Sequence, residues 1–226
     1  FQERKIFPSM LDLIFATILT ALKKDKYIGE LSKAVNRINS STPPNDLDLS
    51  YMPHILNLLA LTYLNSVKDN LQRQDVKIVS QILKNAVSYQ QKVGKNVLTG
   101  LIYANFGQLY QLATDFAIDG KYENVKLAID CYTLSQKHFN RQIFPYDFGG
   151  VAYRLSKLYF EYWKYTSDIQ ALRDAVFHLR EAQKALAFEV VKDIHGIDEA
   201  NKAVTMTEAL FTENFANLTK EDIKEI

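Results

Sequence analysis

The stretch Phe106-Gly107-Gln108-Leu109-Tyr110 decides how this chain is read, because it recurs as Leu59-Ala60-Leu61-Thr62-Tyr63 and again as Leu155-Ser156-Lys157-Leu158-Tyr159. Each copy is a large apolar residue, a small one, two variable positions and a tyrosine. A second pattern follows each, with offsets of four and seven: Val79/Leu83/Ala86, Ala128/Tyr132/Ser135 and Ala175/Leu179/Ala182. Successive copies lie 47 or 49 residues apart. Self-similarity at a fixed period of this size marks a repeat whose units bury their apolar faces on one another.

The residue types explain the pattern. Two helices approach closely only where small side chains sit at the crossing, and Ala60, Gly107 and Ser156 hold that place in the first helix, Ala86, Ser135 and Ala182 in the second. The tyrosines and the large residues at 83, 132 and 179 are expected to fill the space between, aromatic rings supplying much of the buried area. With 226 residues and 47% hydrophobic content the chain can bury a sizeable core. Five prolines and eight glycines, most of them near proposed element ends, leave long runs suited to helices. The expected class is all-α.

The chain divides into hairpins at about 8–38, 50–94, 97–140 and 146–190, with a terminal helix at 198–216, all within one helical-repeat domain over 1–226. Leu11, Ile14, Phe15, Ile18, Leu19 and Leu22 give the first helix one apolar face. The run Asn39 to Asp46 holds two adjacent prolines and is the clearest loop. The next hairpin is expected to begin after Ser50 with Pro53 in its first turn, and Asp75 to open its second helix. Asp119-Gly120 is a turn, Gly149-Gly150 a break at a helix start, and Ser167 with Gln170 a capping box. His195-Gly196 ends a helix, and Asp198 caps the next.

These features resemble the tetratricopeptide repeat family, whose paired helices carry leucine, glycine or alanine and tyrosine in the first helix and alanine, aromatic, alanine in the second. The resemblance covers roughly residues 50–186. The period is longer than the family's usual unit of about 34 residues, and the early tryptophan and closing proline of the family are absent at their places. The stretch Phe139 to Pro145 before a helix resembles long-unit arrays of bacterial multidomain proteins, some of which carry a caspase-like peptidase domain. The resemblance implies a right-handed α-solenoid of stacked antiparallel hairpins. It further implies a non-catalytic scaffold binding a protein or peptide in a concave groove, or the regulatory repeat domain of a larger effector system.

Carried over by position, the groove residues are His54, Asn57, Leu61 and Asn65 in one unit, Leu101, Ala104, Gln108 and Gln111 in the next, and Tyr153, Lys157 and Glu161 in the third. Amides, aromatics and a few charges suit a peptide segment or helix. There is no lysine and arginine clamp for a terminal carboxylate.

Signals for chemistry are weak. His54, His138, His178 and His195 lack the paired spacing of a zinc site, Gly149-Gly150 is not a phosphate loop, and neither metal nor cofactor is expected. Cys131 and His138 are seven residues apart, a spacing that would put them on one face if a single helix held both, but Cys131 falls between core positions, so it is expected to be a buried filler rather than a nucleophile. A lone cysteine suits a reducing, cytoplasmic setting. No apolar run is long enough to span a membrane. With 27 basic against 26 acidic residues, the balance argues against nucleic acid as the main partner, although Tyr153-Arg154 and Trp163-Lys164-Tyr165 interleave aromatic and basic residues as an RNA-binding array would. Exposed end helices offer a route to a homo-oligomer. The chain opens at Phe1 rather than a methionine, as an excised or processed piece would.

Overall fold

The computed structural model describes residues 46–94 and 97–212. They form seven helices, with no strand among the described residues: α1 (Asp46–Val67), α2 (Arg73–Val93), α3 (Val97–Asp115), α4 (Lys121–Gln136), α5 (Pro145–Thr166), α6 (Ile169–His195) and α7 (Ile197–Thr212). The hairpin expected at 8–38 and the last residues of the expected terminal helix lie outside the described residues. Helices consecutive in the chain pack most extensively in the pairs α1 with α2, α3 with α4 and α5 with α6, and less so between pairs.

The pairs are built on the small residues of the repeat. Ala60, Ala86, Gly107, Ser135 and Ser156 are all buried. At Gly107 a Cβ would stand 2.7 Å from the ring of Tyr132, so that ring occupies the space a side chain would need. Nearby, Ser135 Oγ donates to the Gly100 carbonyl at 2.8 Å, a side chain satisfying a backbone group where the two helices nearly touch. Leu59, Leu64, Val79, Leu83 and Ile102 continue one core through α1, α2 and α3, and Val125, Tyr132, Leu155 and Leu158 form another between α4 and α5.

Connections follow local chemistry. Asp75 accepts from the Gln72 backbone N–H at 2.9 Å, capping α2, and its other oxygen accepts from the Tyr63 hydroxyl at 2.9 Å. The repeat tyrosine of α1 is thus tied to the start of α2. The α3–α4 turn needs positive φ at Ala117, Asp119 and Gly120, and the last, at φ 100, is a conformation that glycine adopts without steric cost. Gly196, at φ 92, closes α6.

Five expectations are corrected. First, α1 starts at Asp46, so Pro53 lies inside the helix rather than in its first turn. Proline there removes one helical hydrogen bond, but its ring is fully buried. Second, Gly149 and Gly150 lie within α5, where Gly149 lets α6 approach: a Cβ on it would meet that of Ala185 at 2.9 Å. Third, Ser167 is not a helix start. It takes a left-handed conformation that ends α5, and Asp168 caps α6 by accepting from the Gln170 N–H at 2.9 Å. Fourth, Asp198 lies in the first turn of α7, where its charge faces the positive end of the helix dipole, and is not the cap. Fifth, Leu179 does not fill the third pair as Leu83 and Tyr132 fill theirs; it is 41% exposed. His178 faces inward instead and stacks on Tyr159, with centroids 5.4 Å apart and planes 6° apart. Ala171, Ala175, Ala185 and Phe188 make the buried face of α6.

Candidate binding cleft

A cleft of about 470 Å³ opens where α3, α4 and α5 meet. From α3 it receives Gln111, Thr114 and Asp115, one helical face read at spacings of three and four. The first two turns of α4 add Lys121 and Val125. Lys157, Leu158, Phe160, Glu161 and Tyr165 come from α5. Two carboxylates and two ammonium groups thus share a space floored by apolar and aromatic side chains.

The charges act on one another. Partial desolvation raises the pKa of Asp115, and Glu161 pushes the same way, while Lys157 and Lys121 oppose. Glu161 pairs with Lys164 at 2.5 Å along the helix, an exposed pair of small energetic weight. Lys157 Nζ sits 5.6 Å from the centre of the Tyr153 ring. At the cleft edge, Gln111 Oε1 is approached by the Tyr132 hydroxyl at 3.4 Å and by Arg154 Nη1 at 3.5 Å, both long contacts. Burial pushes the Tyr132 phenol up to about 12, against the opposing Arg154 charge, so it remains a neutral donor at physiological pH.

Of the residues expected to line a groove, the cleft brings together Gln111, Lys157 and Glu161. Tyr153 stands beside Lys157, 52% exposed. Gln108 and Ala104 are half-buried on α3, and Leu101 is exposed. His54, Asn57, Leu61 and Asn65 lie on α1 and do not line this cleft: His54 and Asn65 are exposed, Leu61 half-buried. Asn57 Oδ1 accepts from Asn105 Nδ2 at 2.8 Å, which satisfies the buried Asn105 amide and joins α1 to α3. Thr114, Asp115, Lys121, Val125, Leu158, Phe160 and Tyr165 also line the cleft and are not among the residues expected from position. A signal was present in part, since Asp115 lies one turn beyond Gln111, and Tyr165 one turn beyond Glu161.

No group of histidine, cysteine and carboxylate side chains among the described residues could hold a metal ion. No helix of the described residues is long and apolar enough to cross a membrane. Burial, with Asp130 adding to it, pushes the Cys131 thiol up to about 12, so little of it is thiolate at neutral pH.

No family model matches the chain, and no solved structure matches it. A tyrosine–tRNA ligase of Mesoplasma florum is 42% identical over 59 residues, which is 26% of this chain and 14% of that protein. The chain thus spans only a small part, 14%, of that protein's length.

Proposed function

We propose that the helix pairs are units of a right-handed α-solenoid of tetratricopeptide type, working in the cytoplasm as a non-catalytic scaffold that holds a peptide segment or helix of a partner protein. The observation that carries this reading is the α3–α4–α5 cleft, which gathers Gln111, Lys157 and Glu161 around an apolar floor. Side chains of both charges, an amide and exposed rings suit a segment that offers both charged and apolar groups. The same unit can serve as the regulatory repeat of a larger effector protein.

The test is affinity capture from the source organism with the chain and with a Gln111→Ala, Lys157→Ala, Glu161→Ala variant, helix content being checked by circular dichroism. Partners that bind the cleft fall at least about tenfold in recovery, the loss expected when 1.4 kcal/mol of contacts is removed. Unchanged recovery from a folded variant sinks the assignment.

A second reading, RNA binding, draws on one observation: α5 exposes Tyr153, Phe160 and Tyr165, with Lys157 and Lys164 lying over the rings of Tyr153 and Phe160 at 5.6 and 5.4 Å. Exposed rings beside cations form a stacking platform for single strands. Titration with single-stranded RNA across salt concentrations separates the two, because phosphate contacts make affinity fall steeply with salt. No affinity at low salt removes the second reading.

A further inference from the structure

Helix α6 is 27 residues long, and its apolar residues fall on more than one face, with Phe177 exposed apart from those described next. One, with Ala171, Ala175 and Ala185, is buried. Ala187 and Val191, beside Phe188, border α7 across a narrow apolar gap. A separate seam faces solvent: Ile169, Val176, Leu179, Leu186 and Val190 are between 41 and 67% exposed.

The seam has a period of seven. Ile169, Val176, Gln183 and Val190 fall at one heptad position, and Leu172, Leu179 and Leu186 at the other. Among parallel coiled coils, β-branched residues at the first position with leucine at the second favour two strands over three or four. We propose that this seam is an interface between two copies of the chain, α6 against α6, parallel and in register about a two-fold axis.

Gln183 decides both the occupant and the orientation. In a parallel pair the first heptad position meets its own copy, so two Gln183 amides face each other and can exchange hydrogen bonds. An antiparallel pair would set each amide against a leucine, leaving a buried polar group without a partner. A single polar residue at this position sets register in this way at some cost in stability. The flanking positions set no like charges against each other: Glu189 falls opposite Ile194 of the second copy, while Ala175 is buried within its own chain and Ala187 borders α7. A seam about 32 Å long and one helix diameter of about 10 Å wide covers roughly 300 Å² per copy. That is below the roughly 1,000 Å² total of a stable complex, so the pair is a weak, reversible one that dissociates on dilution.

Sedimentation equilibrium of the 226-residue chain over about 1–100 μM is expected to show a reversible dimer. Leu186→Glu with Val190→Glu places charges in the seam without touching the buried face, and should weaken the dimer at least about tenfold while helix content and the melting temperature of the dilute monomer hold. Orientation is read by crosslinking. Under mild oxidation the Val176→Cys variant should form a disulfide with itself, as should Val190→Cys, while Cys131, partly buried and protonated, does not compete. A chain monomeric throughout overturns the proposal and leaves the seam to a different partner. A dimer unmoved by the glutamates, or crosslinks only between mixed Val176→Cys and Val190→Cys chains, overturns it equally.

Discussion

The pair α3–α4 and the pair α5–α6 begin from the same pattern and solve it differently. In α3–α4 the small residue of the pattern, Gly107, lies under the Tyr132 ring, and a second glycine seven residues earlier, Gly100, lies against His138 and Phe139. In α5–α6 the later small residue is Ser156, whose hydroxyl donates back to the Tyr153 carbonyl at 2.8 Å. Close approach falls instead to Gly149, which meets Ala185, and the repeat tyrosine Tyr159 stacks on an imidazole. The first pair locks a large ring over a glycine. The second brings the helices together through alanines and turns Leu179 outward. The lesson is that a repeat conserves the need for a close crossing within the unit, and any residue that fills the remaining space can complete it.

Paired substitutions sharpen that contrast. The largest effect is expected at Leu83→Ala, which empties a fully buried site and should cost about 2–5 kcal/mol in urea unfolding. Its positional counterpart, Leu179→Ala, removes a side chain that already meets water in the single chain, and in the dilute monomer should cost under about 1 kcal/mol, in the range of surface changes. Equal losses at the two sites would erase the distinction between the pairs.

Next in size is Gly107→Ala. The added methyl would lie 2.7 Å from the Tyr132 ring, and overpacking of this kind costs roughly 1–3 kcal/mol. Gly150→Ala, inside α5 with nothing within 4 Å of the new methyl, should instead stabilise by about 0.5–1 kcal/mol, because glycine in a helix interior loses more backbone freedom on folding than alanine. Thermal melts of the two variants should move in opposite directions.

The smallest effect is one of pH. Burial lowers the pKa of His178 below its ordinary 6.5, against Asp174 and Glu181, and Nδ1 is buried without a hydrogen-bond partner. The unfolded chain therefore binds this proton more readily than the folded one. The stabilisation is complete above pH 6.5 and is lost as pH falls through that value toward the folded-state pKa. His178→Phe keeps a ring against Tyr159 and removes the titration, so its melting temperature should fall less than that of the parent chain between pH 7.5 and 5.5. Parallel curves would show that His178 carries no part of the acid sensitivity.

Much of this was legible in residues alone. The helix that Asp75 caps, which starts two residues earlier at Arg73, the helix after Gly120, the stop at Gly196, and the burial of Ala60, Gly107 and Ser156 all follow from local preference and spacing. Gly100 and Gly149 carry the same signal: they are 49 residues apart, one period of the repeat, and both sit where a neighbouring segment passes close. Taken singly, Gly149-Gly150 looks like a break, because glycine weakens a helix and only a packed partner offsets that.

The cleft was partly legible for a related reason. Gln111, Lys157 and Glu161 could be placed on first helices by position, but Lys121 belongs to the start of a second helix, and its arrival beside them depends on how α4 docks. What the sequence by itself determined is the run of helices, their turns and the small residues at the crossings, since these depend on neighbours within about one or two turns. Which way α6 faces, that His178 rather than Leu179 meets Tyr159, and which charges share a cleft were decided by tertiary structure. Rotating a helix by one residue turns its surface by about 100°, as 3.6 residues per turn requires, and only the shape of the facing helix chooses between such rotations.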